Sequence, residues 1–223
     1  DDLELKKITP ASVAQTIRNS DGTVGLEFRS GGTGLNNSFL GKDSGISNIS
    51  GGSNLFIGYS SGYSNIWGDN NTANGYKSLF SNTDGSDNTA NGYMSLYKNT
   101  GGNSNTANGS YSLFSNTTGY WNTSTGYSSL YSNTSGSSNT ANGYDSLYFN
   151  TTGTDNTANG AYSLIFNTTG YNNTANGVNA LRNNTTGYSN TALGYYAGNY
   201  ITDGVTGNSS STNSLFLGYD TRA

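Results

Sequence analysis

The sequence predicts an all-β protein, a parallel β-solenoid of about ten stacked coils of seventeen residues each. Three observations carry this reading. Asn-Thr-Ala-Asn-Gly-Tyr begins at Asn71, Asn88 and Asn139, with close variants at Asn105, Asn122, Asn156, Asn173 and Asn190, always in the same register. Glycine keeps two further registers, Gly41 to Gly194 through Gly75, Gly92, Gly109 and Gly143, and Gly51 to Gly204 through Gly68 and Gly85. An asparagine series runs from Asn48 to Asn184 through Asn82, Asn116 and Asn150. Such self-similarity without an insertion is the signature of a repeat architecture.

Composition narrows the choice. Of 223 residues only 31% are apolar and 10% charged, too few for a broad globular core, yet 18 Tyr, 8 Phe and 2 Trp exceed what a disordered linker carries. Helical repeats need longer units rich in Ala, Leu and Glu. Seventeen residues rich in Gly, Asn, Thr and Tyr suit two short strands joined by two turns, with Gly and Asn supplying positive φ. The turn columns are therefore read as Gly75, Gly92, Gly109 and Gly143 with Asn82, Asn116 and Asn150. Like strands of successive coils then pair in parallel about 4.8 Å apart, giving a rod roughly 50 Å long.

Comparing coils shows what lies inside. With the first Asn of each unit as position zero, position two is Phe39 and Phe56, then Ala73, Ala90, Ala107, Ser124, Ala141, Ala158 and Ala175. Position eight is Gly45 and Gly62, then Leu79, Leu96, Leu113, Leu130, Leu147, Leu164 and Leu181. Large-plus-nothing is exchanged for small-plus-large, as a close-packed interior demands. The coil at Asn190, with Ala192 and Gly198, breaks the exchange. If position eight lies in a strand and points inward, position nine points outward. That column is Ile46, Tyr63, Phe80, Tyr97, Phe114, Tyr131, Tyr148, Ile165 and Arg182, and position five adds Tyr59, Tyr76, Tyr93, Tyr127, Tyr144 and Tyr195. Outward aromatic area of this extent needs a partner, which self-association about a threefold axis supplies. Sugar stacking on the ladder is the alternative.

The ends differ. Residues 1–36 hold nine of the 22 charges, all within the first thirty positions, and are expected to form a cap or junction. ASVAQTIRN (11–19) reads as a short helix or irregular lead-in, and TVGLEFRS (23–30) as a strand after the turn Asn19-Ser20-Asp21-Gly22. The solenoid is placed at 37–204, with an inserted loop and incomplete coil at 205–223. A chain opening on Asp1 and stopping within a coil is expected to belong to a longer product.

Several activities find no residues to carry them. Without Cys or His there is no thiol nucleophile, no Cys-ligated zinc and no imidazole base. The only acids from Asn37 onward are eight scattered Asp, so catalysis, cofactors and metals are not expected. A net charge of −4 argues against nucleic acid, and no apolar run suits membrane insertion. Asp84-Gly85-Ser86-Asp87 and Gly68-Asp69-Asn70 have calcium-ligand oxygens but read as acidic turns, since they do not recur in every coil. The N-x-[ST] sequences at Asn116, Asn150, Asn167 and Asn184 read as turn and amide-stacking positions rather than glycan acceptors.

NTANGYKSL, NLFIGYSSG, NSFLGKDSG and NTALGYYAG resemble the small-x-x-Gly repeats of YadA-type trimeric adhesin heads. The chain resembles more closely the NTA-x-GY-x-AL-x-x-NTTG arrays of phage tail-fibre proteins, and SLFLGYDTRA is similar to segments near their distal part. The resemblance covers about residues 37–222. It implies left-handed β-rolls in a homotrimer, located extracellularly or on a virion, whose partner is a cell-surface glycan or protein receptor. The unit here is longer than the YadA one, and position three is Asn (Asn74, Asn91, Asn108, Asn142, Asn159, Asn176) rather than aliphatic. A coiled-coil stalk, anchor barrel and chaperone domain are not found, so collagen binding is not implied. The expected function is a non-catalytic fibre shaft or adhesin segment in host attachment. A self-assembling extracellular filament, glycan-coated or bare, is the alternative. The Thr column from Thr72 to Thr191 raises a third, an ice-binding solenoid, which the aromatic and amide columns beside it oppose.

Overall fold

The computed structural model describes residues 13–18, 21–29, 36–200 and 207–221, and among these the chain is all β. β1 (Val13–Arg18) and β2 (Val24–Arg29) form an antiparallel hairpin, and β2 pairs antiparallel with β3 (Ser38–Leu40). From β3 onward each strand pairs in parallel with the next, and the one isolated bridge among the described residues, Tyr200 to Gly207, is antiparallel. β4 (Leu55–Ile57), β5 (Thr72–Asn74), β6 (Thr89–Asn91), β7 (Thr106–Asn108) and β8 (Thr123–Thr125) follow at seventeen-residue steps. β9 (Thr140–Asn142), β10 (Thr157–Asn159), β11 (Thr174–Asn176) and β12 (Thr191–Leu193) continue them. After a longer step, β13 (Leu215–Leu217) stacks on β12, and all thirteen strands lie in one sheet in sequence order. Like residues pair with like, as in Thr72↔Thr89, Ala73↔Ala90 and Asn74↔Asn91. The chain is a stacked β-solenoid.

Two expectations about local structure need correction. Residues 13–18, within the stretch read as a helix or lead-in, are a strand, because Val13, Thr16 and Ile17 suit extended backbone and β2 offers a partner. Each coil also has one three-residue strand, not two. The rest is a stack of turns still bonded from coil to coil, for instance Lys77 N–H to Tyr59 O at 2.9 Å and Leu79 N–H to Ser95 O at 2.9 Å. Position eight is therefore not extended. Leu79, Leu96, Leu113, Leu130, Leu147, Leu164 and Leu181 all have φ between +49° and +52°, a conformation disfavoured for leucine by about 1–2 kcal/mol. The leucines hold it because that backbone aims them into the coil, where each is fully buried.

The core is correspondingly narrow. Ala73, Ala90, Ala107, Ala141 and Ala158 are fully buried beside the leucine column. In the first coil, a Cβ added to Gly45 would lie 2.6 Å from the Phe39 ring, and Gly62 faces Phe56 in the same way. Phenylalanine at position two thus fills the space that leucine fills in later coils. The exception at Ala192 and Gly198 has an equally plain cause. Phe216 of the next coil stacks on Ala192, and its ring lies 2.6 Å from where a Gly198 Cβ would sit.

The asparagine columns keep the expected amide stacking between coils but not the expected turn conformation. Asn82, Asn116 and Asn150 are absent from the positive-φ residues; they are fully buried, with their side chains inside the coil. Each amide nitrogen donates to the Oδ1 of the Asn one coil back and to a glycine carbonyl of its own turn, as for Asn82 to Asn65 Oδ1 (2.7 Å) and Gly85 O (2.8 Å). A second buried amide column lies at position zero. There the Asn71 N–H donates to Asn54 Oδ1 (2.8 Å) and the Asn71 side chain donates to Gly85 O (2.8 Å). Positive φ is left to other residues, such as Asn70, Asp87 and Ser104 just before the strands. The two glycine series also separate. Gly75, Gly92, Gly109 and Gly143 have φ from +134° to +144°, whereas Gly85 lies outside that region and is required because a Cβ there would sit 2.5 Å from the backbone oxygen of Gly102 in the next coil. A buried serine column at position seven completes the interior, with Ser61 Oγ donating to Ala73 O at 3.0 Å.

Candidate functional site

With Asn and Ser turned inward, the aromatic residues are left on the surface. Position nine forms one ladder. Tyr63, Phe80, Tyr97, Phe114, Tyr131 and Tyr148 stack with ring centroids 4.9–5.2 Å apart and planes within 14° of parallel. The rings lie in a turn rather than in an alternating strand, so they lean along the coil and are half-buried instead of fully outward. Centroid separations of this size follow from the coil-to-coil rise and fall in the favourable range for offset stacking. The ladder stops at Tyr148, since the next two residues in register are Ile165 and Arg182.

Position five forms a more exposed ladder. Tyr59, Tyr76 and Tyr93 stack at 5.2–5.3 Å, and Tyr127 stacks on Tyr144 at 5.4 Å. Where position five is Ser110 or Ala161, the following residue is Tyr111 or Tyr162, which meets the neighbouring rings edge-on (Tyr93 to Tyr111 5.3 Å, Tyr144 to Tyr162 5.4 Å). Reading single columns misses this replacement. The signal was the Tyr standing one place late in two coils. Desolvation, with the neighbouring phenols of Tyr93, Tyr127 and Tyr131 adding to it, pushes the Tyr111 hydroxyl above the usual phenol range.

Near the end of the position-nine ladder the edge opens into a groove of about 400 Å³ lined by Tyr127, Tyr144, Asp145, Tyr148, Phe149 and Phe166 among others. Phe149 meets Tyr148 edge-on at 4.7 Å and stacks with Phe166 at 5.6 Å. Partial burial raises the Asp145 carboxyl above the ordinary carboxylate range, and no hydrogen bond from the described residues offsets it. The same charge is the largest influence raising the Tyr144 hydroxyl.

The carboxylates of the acidic turns are engaged within the fold. Asp69 Oδ1 accepts the Gly52 N–H at 2.6 Å, Asp84 Oδ1 accepts from Thr83 Oγ1 at 3.1 Å, and Asp87 Oδ1 accepts from Asn70 Nδ2 at 3.1 Å. Among the described residues no acidic cluster is arranged to hold a metal. Asn116, Asn150, Asn167 and Asn184 are fully buried, so their side chains offer no surface to a glycan. The strand threonines point away from the core beside the position-three asparagines, whose amides bond along the axis, as Asn159 Nδ2 to Asn176 Oδ1 at 2.8 Å. No helix of the described residues is long and apolar enough to cross a membrane.

No protein-family model, no curated protein and no solved structure matches the chain. What the geometry defines is a class: a repeat β-solenoid with a polar strand face and an aromatic edge.

Proposed function

We propose that this chain is one subunit of a homotrimeric, non-catalytic fibre segment, serving outside the cell or on a virion as shaft and contact surface in host or surface attachment. The aromatic ladder from Tyr63 to Tyr148 supports the reading most directly. Its half-buried rings and the more exposed tyrosines of position five beside them make more apolar surface than an isolated soluble chain ordinarily exposes, and three copies packed about one axis would cover it. Continuous inter-coil hydrogen bonds would give the shaft its stiffness. Threefold presentation would turn weak single contacts with a glycan or protein receptor into firm attachment.

Sedimentation velocity tests the reading. The protein is expected to run as one discrete species of three chains, and Tyr97→Lys combined with Phe114→Lys is expected to yield monomers that keep the wild-type circular dichroism. Open-ended polymers would instead favour a self-assembling filament. A wild-type monomer would remove the trimer altogether.

A further inference from the structure

Three of the cations in the coils, Lys77, Lys98 and Arg182, lie over rings of the aromatic edge. At position six of the coil beginning at Asn71, Lys77 places its Nζ 5.5 Å from the Tyr76 ring centroid and 5.2 Å from that of Phe80. Lys98 lies 5.2 Å from Phe114, and the Arg182 guanidinium lies 4.9 Å from Phe166. These are the distances at which a ring quadrupole attracts a positive charge. Four coils after Lys77, the same position between the same two columns is Asp145, flanked by Tyr144 and Tyr148. The charge is reversed and the slot is an open groove. Of the residues lining it, Asp145 alone carries a formal charge, while Tyr144 and Phe149 are more than two-fifths exposed. Arg182, which covers Phe166, is not among the lining residues. A carboxylate set among aromatic rings, without its own counter-ion, complements an external cation and disfavours an anion.

We propose that this groove binds an organic ammonium group, held by the Asp145 carboxylate and the rings of Tyr144, Tyr148 and Phe149. A quaternary ammonium head group, an amino sugar and a lysine side chain share that chemistry. A neutral sugar stacking on the rings alone does not. The site does not require three chains, but it shares Tyr148, the last ring of the ladder, with the face that three chains would cover.

Isothermal titration of the intact protein with choline, glucosamine and an Nα-acetyl-lysine amide tests the site and separates the three sources. N-acetylglucosamine serves as the uncharged control. Saturable binding of at least one cation is expected, with no binding of the control. Asp145→Asn should weaken that binding about tenfold, and Asp145→Lys, which recreates the Lys77 arrangement, should abolish it with thermal melting unchanged. Three results would overturn the proposal: no cation binding in the millimolar range, equal binding of N-acetylglucosamine, or binding that survives Asp145→Lys. Sedimentation of the same samples reports chain number separately, so loss of the ligand site and loss of the trimer are distinguishable.

Discussion

Leu130→Asp is expected to unfold the coils around it, at a cost of several kcal/mol. Leu130 is fully buried, with φ of +51° directing it into an interior shared with Ser124 and the leucines above and below. A carboxylate there would meet neither cation nor water, and the coil has no spare volume into which it could turn. Because each coil touches only its neighbours, hydrogen exchange should accelerate first between Leu113 and Leu147 and spread outward. Thr118→Asp, at an exposed turn position, should leave melting within about 0.5 kcal/mol of wild type. An unchanged melting profile for Leu130→Asp would show that position eight is not the coil interior.

Gly92→Ala should be nearly as damaging although it adds a single methyl group. Gly92 has φ of +134°, and a Cβ there would lie 2.6 Å from both the carbonyl carbon and oxygen of Gly109 in the next coil. Those atoms are backbone, bound into the stack, so relief requires two coils to separate. Strain and overpacking together should cost roughly 3 kcal/mol or more, read as a lowered midpoint in denaturant unfolding. Gly22→Ala is the matching control. Gly22 also has positive φ, +83°, but nothing lies within 4 Å of its Cβ position, so only the conformational term of about 1 kcal/mol applies. Equal losses at the two sites would mean that dihedral preference, not coil spacing, selects the glycine column.

The contrast shows which parts of the fold the sequence could reveal. Period, parallel register and the pairing of positions two and eight all follow from comparing one coil with the next, since stacking makes identity between coils a spatial statement. Conformation within a coil is another matter. Leucine has no preference for positive φ, and nothing in its residue type indicates that the backbone at Leu79 to Leu181 turns rather than extends. The asparagine columns suit turns and amide stacking together, because a residue that tolerates a left-handed turn is also one that stacks amides. Burial and backbone conformation at Asn82, Asn116 and Asn150 keep the stacking and drop the turn. At the aromatic edge the ladders could be found column by column, but the groove could not. It depends on rings from positions five, nine and ten converging across three coils beside Asp145.

The two buried amide columns have a thermal consequence. On melting, an ordinary domain exposes mostly hydrocarbon, whose hydration raises the heat capacity; newly wetted amide and hydroxyl groups lower it. Here the interior gives up asparagine and serine side chains alongside alanine and leucine. The heat-capacity increment per residue should therefore fall below the usual value of about 12–15 cal/mol/K. The curve of stability against temperature is correspondingly shallow, and the rod weakens little on cooling toward freezing.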